Sequence, residues 1–592
     1  MNVSLNKILF CPIQQPCKWV GILLLMLLSP TAGSQKPAVA AERIYISYSA
    51  LESSIPVEAL EEYAKSGKLE DELAFYAQNI DPQQLARLRR VLLTRLDLTP
   101  VEVSQFLYSP IGKQLLQRLG EVVQTEARLP GFYALRAALI LAAADRDGLT
   151  LLNVLQKFPT QGIRVNLQRS LKIVEEIEAL VAETNSAIAL VKQQSSATAT
   201  TGLSVNFSQL PNIRQRGLYT WNKQTLTIYN PRRDRTFLAD IYLPQQTKDK
   251  SSTTQEKPKV KKSRFLRAEV SSVEAAGVQK PKIIPNSLAP SSVIVISHGL
   301  GGDRNTFKYL AEQLASYGFA VAVPEHLGSD TQRLRSLLSG RVDAIVEPEE
   351  FINRPRDVTY LLNELERLDA ASPNIHLNLQ RVGVIGQSFG GYTALALAGA
   401  NLNFTKLQNN CGEDSNLFNA SLLLQCRALG LPHQDYNLRD PRILAAIAIN
   451  PITSSIFGQV GVAQIQIPVA IVSSSADKVA PALPEQIQPF AWLTAPEKYL
   501  ILLAGGTHFS TLGAINPATD PVTIPTQLIG PKPALARRYL KALSVAFFQT
   551  YIANQPQYRP YLSAAYAQTI SQAPLELNLV QSLPARLTGL LN

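Results

Sequence analysis

The chain has 592 residues and a net charge of +11, an excess that by itself would suggest a nucleic-acid or anionic-membrane partner. Its distribution argues against a nucleic-acid surface: residues 1–41 contribute +3 and residues 245–290 contribute +6, leaving +2 for everything else. The length leaves room for several domains.

At the N-terminus, Lys7 and Lys18 precede the uncharged run Trp19–Leu28, and Ala38-Val39-Ala40-Ala41 follows. This is a basic region, a short apolar stretch and a small-residue cleavage site, so residues 1–41 are expected to be a signal peptide cut after Ala40 or Ala41. Export to the periplasm or beyond follows. The ten-residue apolar run is shorter than the ~20 residues a membrane-spanning helix needs, with an uncleaved anchor as the alternative. Cys11 and Cys17 precede the apolar run rather than follow it, which argues against a lipoprotein. Of the four cysteines, only Cys411 and Cys426 would remain after cleavage. In an oxidising compartment they are expected to pair, closing a loop worth about 3 kcal/mol in the chain-entropy picture. The alternative is two thiols in a lid.

Residues 42–200 read as an all-α domain. Asp81-Pro82, Thr99-Pro100-Val101-Glu102 and Ser109-Pro110 are helix starts with proline at the first helical position. Leu115, Leu116, Leu119 and Val122 recur at helical spacing. An amphipathic segment over 165–191 ends in a Ser-, Ala- and Thr-rich stretch, Gln193–Thr201, that reads as a linker. The domain is either a bundle with its own core or a module that shields an active site or docks on a membrane.

Residues 206–592 read as a catalytic domain. Leu226–Tyr229 and Thr236–Ile241 make an opening hairpin around Asn230-Pro231-Arg232-Arg233. A low-complexity basic insertion over 245–290 is expected to stay solvated, with peripheral contact to anionic head groups as its other role. Apolar runs separated by helical stretches then imply parallel strands with crossovers. Insertions at 327–350 and 401–441 stand where lids would be.

The most informative stretch is Gly386-Gln387-Ser388-Phe389-Gly390-Gly391, directly after the apolar run Arg381–Ile385 and before the small-residue helix Tyr392–Ala398. A buried strand running through G-x-S-x-G into a helix is the pattern of a nucleophile elbow, with Gly386 and Gly390 needed because a Cβ there would clash. Such a serine needs a base and an orienting acid, which in this arrangement follow it as acid and then histidine. Of the five histidines, only His433 and His508 lie beyond Ser388. His433 sits in a polar stretch with no strand before it, whereas His508 follows Lys498–Leu503 through a short Gly-rich turn, so His508 is the expected base. Asp477 is the only carboxylate between the strand Pro468–Val472 and the helix near Glu485, which makes it the expected acid; a turn or cap aspartate is the other reading. Phe389 and Leu300 are the expected oxyanion-hole N–H donors, the latter in Ser297-His298-Gly299-Leu300-Gly301-Gly302 after the strand Ser292–Ile296. His298 reads as a histidine that fixes this loop. Five scattered histidines offer no ligand cluster, so neither metal nor cofactor is expected.

These residues together resemble the α/β-hydrolase superfamily, on the side of the platelet-activating-factor acetylhydrolase and dienelactone-hydrolase-like esterases. Asp240-Ile241-Tyr242-Leu243-Pro244, Ser297–Gly302, Arg354-Pro355-Arg356-Asp357-Val358 before a helix, and Gly386–Gly391 carry the resemblance across about 210–550. Dienelactone hydrolases use cysteine where this chain has Ser388, which favours the esterase side. From Arg43-Ile44-Tyr45-Ile46-Ser47-Tyr48 onward, the N-terminal half resembles an uncharacterised helical region found ahead of such hydrolases in cyanobacterial proteins. The resemblance implies an α/β fold with a mostly parallel sheet and a serine hydrolase acting on small-molecule or lipid esters, which the signal segment would export. The alternatives are a thioesterase or peptidase with the same triad, and a non-catalytic lipid- or protein-binding scaffold.

Overall fold

The computed structural model describes residues 40–591 except 49–50, 70, 79, 202–204, 247–289, 374, 413–418 and 515–525. All but the end of the expected signal peptide, and nearly all of the basic insertion, lie outside the described residues. Two compact units form. One takes the chain up to Leu96 with Gln124–Leu129 and Tyr133–Val165; the other takes Asp97–Val123, Pro130–Phe132 and the chain from Asn166 onward.

The first part of the chain carries strands β1 (Arg43–Tyr48), β2 (Leu51–Pro56), β3 (Val123–Thr125) and β4 (Gly162–Asn166). With them come helices α1 (Val57–Ser66), α2 (Asp71–Ala77), α3 (Pro82–Leu93), α4 (Pro100–Tyr108), α5 (Pro110–Val122), α6 (Phe132–Ala144) and α7 (Leu151–Gln156). The region is mainly helical, and the expected starts are where the helices begin. Asp81 accepts from Gln83 N–H at the head of α3, Thr99 and Glu102 close a capping box on α4, and Ser109 accepts from Gly112 N–H on α5. The reading of an all-α domain left out a four-stranded sheet of order β2–β1–β4–β3. Its β1–β2 hairpin is antiparallel, with Arg43 opposite Pro56, and β4 joins β1 from more than 100 residues away. Because β4 pairs with β1 across more than 100 residues, neither segment by itself shows the pairing. Helices α4 and α5 belong to the second unit.

The second unit is built on a nine-stranded sheet. Its strands are β5 (Tyr219–Asn230), β6 (Arg235–Gln246), β7 (Ser291–Ser297), β8 (Ala320–Pro324), β9 (Leu377–Gln387), β10 (Ile443–Ile449), β11 (Val469–Ser474), β12 (Lys498–Ala504) and β13 (Glu576–Val580). The order is β13–β12–β11–β10–β9–β7–β8–β6–β5. The six strands from β12 to β8 run parallel, and β13, β6 and β5 pair antiparallel at the two ends. Because both faces are covered, the central strands read as nearly continuous apolar runs such as Ile443–Ile449. Two apolar cores result, one holding Val384, Leu395 and Ile471, the other Ile385, Ile447 and Phe548.

The stretch read as a linker is helix: α8 runs unbroken from Leu167 to Thr201. The reason is tertiary. Ala187 and Val191 are buried in the larger core, Ser195 Oγ accepts the Leu579 N–H at 3.0 Å, and Lys192 pairs with Glu576 at 2.6 Å. The Ser- and Ala-rich face thus covers the open edge of β13, and small side chains let the helix approach it. Among the described residues no helix is long and apolar enough to cross a membrane.

Candidate active site

Ser388 stands between the end of β9 and the first residue of α12 (Phe389–Ala398), with φ 56° and ψ −117°. For a residue with a Cβ this conformation costs roughly 1–3 kcal/mol and persists only where the surroundings impose it. Here the Ser388 N–H donates to Ile449 O at 2.8 Å, at the tip of the neighbouring strand, while its carbonyl accepts the first helical bond from Tyr392 at 3.0 Å. A Cβ on Gly386 would lie 2.0 Å from Gly390 O, and one on Gly390 would lie 2.1 Å from Ser297 O. Only glycine fits at either place, so the close packing of β9, β7 and α12 is what forces the turn.

Arg354-Pro355-Arg356-Asp357-Val358, expected ahead of a helix, lies inside α11 (Glu350–Ala371). Pro355 has no N–H to give to Phe351, four residues back, and the Phe351 carbonyl accepts the Tyr392 hydroxyl at 2.8 Å instead. The proline therefore ties α11 to the elbow helix rather than breaking it. One turn of α11 carries Arg354, fully buried, whose guanidinium lies 4.4 Å from the Phe389 ring centroid and donates to His298 O at 2.7 Å and to Ser329 Oγ at 3.0 Å. Burial lowers its pKa to about 9.

His298 fixes its loop: Nδ1 donates to Gly299 O at 2.8 Å, and Nε2 accepts the His326 N–H at 3.1 Å. Burial, reinforced by the Arg354 charge, lowers its pKa to about 3, so it stays neutral in this tautomer. Among the described residues, Leu300 and Phe389 N–H groups donate to no protein acceptor.

Asp477 and His508 are brought together. Asp477 Oδ2 faces His508 Nδ1 at 2.7 Å, and Oδ1 accepts the Val479 and Ala480 N–H groups, each at 2.8 Å. Both side chains are buried, and Ser388 is only 7% exposed. Two further residues, unnoticed in the sequence, hold the histidine's backbone. Gln387 Nε2 donates to His508 O at 3.2 Å, and Asn450 Nδ2 donates to Thr507 O at 3.3 Å and Ser474 Oγ at 3.1 Å. Gln387 is the residue immediately before Ser388, so this contact seats the histidine loop against the elbow. No Ser388 Oγ–His508 Nε2 hydrogen bond forms among the described residues; such bonds commonly tighten only around a substrate. The one sequence signal for Asn450 and Gln387 was their place at the C-terminal tips of β10 and β9, where sites in open α/β sheets form.

Glu485 is a second missed group. It lies in a π-helical turn, Leu483–Ile487, and is fully buried. Its carboxylate accepts Thr453 N–H at 2.7 Å, Ser454 N–H at 2.9 Å and Gln425 Nε2 at 3.0 Å, and also Asn419 Nδ2 and Ser454 Oγ. It joins α14 (Ala420–Gln425) to the loop after β10. The same segment carries a Cys411–Cys426 disulfide, as expected, with 5.6 Å between the Cα atoms. His433, the rejected base, is exposed and stacks on Phe404 with 4.7 Å between ring centroids. Among the described residues no group of three His, Cys, Asp or Glu is placed to hold a metal.

Two family comparisons bear on this arrangement. Residues 219–343 match the family model for platelet-activating factor acetylhydrolase, isoform II, a stretch that spans β5 to β8 and the Ser297–Gly302 loop but ends before Ser388. Residues 40–166 match that for an alpha/beta hydrolase of unknown function (DUF1400). Strand order, elbow and both matches agree on an α/β-hydrolase fold, and the matches support a hydrolase of esterase type, similar over residues 219–343 to the platelet-activating factor acetylhydrolases.

Proposed function

We propose that the protein is an exported serine esterase that cleaves carboxyl esters, lipid-like or acyl, through an acyl-enzyme. The observation that carries this reading is the strained Ser388 at the elbow with the Asp477–His508 pair seated against its neighbour Gln387. Ser388 Oγ attacks the ester carbonyl carbon while His508 Nε2 takes its proton. Asp477 holds Nδ1–H, so Nε2 is the free acceptor, and stabilises the imidazolium as it forms. The N–H groups of Phe389 and Leu300 receive the charge that develops on the carbonyl oxygen. His508 then protonates the departing alkoxide. Water, deprotonated by the same nitrogen, attacks the acyl-enzyme and releases the acid and free Ser388.

Arg354 supports this machinery without touching the substrate. Its bond to His298 O and its stacking on Phe389 fix the backbone on both sides of the oxyanion position.

The test is a series of p-nitrophenyl esters from acetyl to palmitoyl, with a fluorophosphonate label followed by peptide mass mapping. Cleavage with the adduct on Ser388 is the expected result. An adduct elsewhere, or ester turnover undiminished in fully labelled protein, would overturn the assignment. Gln387→Ala is expected to lower kcat about tenfold with little change in KM, because it loosens the histidine loop rather than the substrate's binding. Steady-state kinetics check it, and an unchanged kcat would show that Gln387 does not position His508.

A further inference from the structure

Very little of Ser388 reaches solvent, and the cover over its surroundings has an unexpected source. On the oxyanion side, the segment 327–350 forms α10 (Thr331–Leu338), whose first residue is bonded to the Gly-rich loop. Thr331 N–H donates to Gly302 O and Thr331 Oγ1 to Gly301 O, each at 2.9 Å, while Gly301 N–H donates to Ser329 O at 2.8 Å. Leu334 of α10 lies 3.2 Å from where a Cβ on Gly301 would be. On the acid side, α14 is bonded to the aspartate loop, since Ser421 N–H donates to Val479 O at 2.8 Å. Val479 is one of the two residues whose N–H groups hold Asp477.

One two-helix piece rests on both. Helix α4 packs on α10, with the Gln105 amide 2.7 Å from where a Cβ on Gly340 would be, and α5 packs on α14. The pair is rigid at its corner, because Ser109 caps α5 and a Cβ on Gly112 would lie 2.0 Å from Phe106 O. At the far end, Glu121 of α5 pairs with Arg169 of α8, the helix that closes the β13 edge. Val103 and Leu107 of α4 and Leu116 of α5 are buried.

We infer that α4 and α5, which precede the hydrolase sheet in the chain by about a hundred residues, roof the active site and select its substrates by size. Held down at the oxyanion side through α10 and at the acid side through α14, the pair admits esters with short or unbranched acyl groups and excludes branched or polycyclic ones. This rests on the serine-esterase reading above. It also gives a role to residues 97–123, which lie within the match to a family of unknown function.

The experiment compares kcat/KM for p-nitrophenyl butyrate and the p-nitrophenyl ester of adamantane-1-carboxylic acid in the parent, Gln105→Ala and Gly112→Val. Loosening the roof is expected to raise the adamantyl-to-butyryl ratio roughly tenfold in Gly112→Val, as for a site open about a tenth of the time, with butyrate turnover within about twofold of the parent. Gln105→Ala should move the ratio in the same direction by less. A ratio unchanged in Gln105→Ala, or a parallel fall for both esters in the two variants, overturns the inference. Should Gly112→Val fail to fold, judged by near-ultraviolet circular dichroism, Gln105→Ala decides alone. Diisopropyl fluorophosphate labelling of the parent separates the two readings: with the parent labelled at Ser388, a ratio that does not move in the variants removes only the roof, and an unlabelled parent removes the esterase and the roof together.

Discussion

Ser388→Ala is expected to lower kcat for a p-nitrophenyl ester by about 10⁵- to 10⁶-fold, and Asp477→Asn by about 10⁴-fold, both in folded protein. The serine figure follows from removing the only atom that can form the acyl-enzyme. The aspartate figure follows from the way its two oxygens are used. Oδ1 accepts two backbone N–H groups, from Val479 and Ala480, so an asparagine would keep its carbonyl there and turn its NH₂ toward His508. His508 Nδ1, 2.7 Å away, would then have to accept a hydrogen bond, which moves the ring proton to Nε2 and leaves no base for Ser388. Pre-steady-state and steady-state rates with each variant check both figures. Ser388→Ala within tenfold of the parent would remove the nucleophile, and a mild Asp477→Asn would mean that the carboxylate merely caps its turn.

Glu485→Leu should destabilise the second unit by roughly 4 kcal/mol, because it strands several buried donors at once, each costing about 1–3 kcal/mol when left unpaired. Thr453 N–H, Ser454 N–H and the amides of Gln425 and Asn419 all end on this carboxylate, which is fully buried. Glu485→Gln keeps one carbonyl acceptor and should lose about half as much. Shifts of the urea midpoint at constant m-value report the difference. A Leu variant within about 1 kcal/mol of the parent would show that the surrounding donors find other partners and that α14 does not depend on Glu485.

Much of this protein was legible in one dimension, and the reason is local. Arg381–Ile385 reads as a buried strand because a parallel strand covered on both faces is apolar throughout, and Gly386 and Gly390 stand where a Cβ would meet a backbone oxygen. Asp477 and His508 each follow a strand whose apolar run marks it, so their order and spacing were readable although they are separated by 31 residues. The helix starts at Asp81, Thr99 and Ser109 were readable for the same kind of reason, since a cap and a following proline act within one turn.

Where meaning depended on a distant partner, composition misled or was silent. Gln193–Thr201 looked like a linker because Ser, Ala and Thr are common in linkers; it is helical because Ser195 meets the edge of β13 nearly 400 residues later. The sheet formed by β1, β2, β3 and β4 depends on strands too short to announce their pairing. Gln387, Asn450, Arg354 and Glu485 are ordinary polar residues until the fold buries them beside particular carbonyls, amides and rings. The sequence alone thus marked the central apolar strands, the elbow and the candidate catalytic side chains, because burial pattern, capping and close backbone approach act over a few residues; the order of strands came from the tertiary structure. Which polar groups steady those side chains, and that α4 and α5 pack on α10 and α14, was decided only by the tertiary structure, because an unpaired buried donor or an open strand edge is satisfied by whatever the fold brings near, however far along the chain it began.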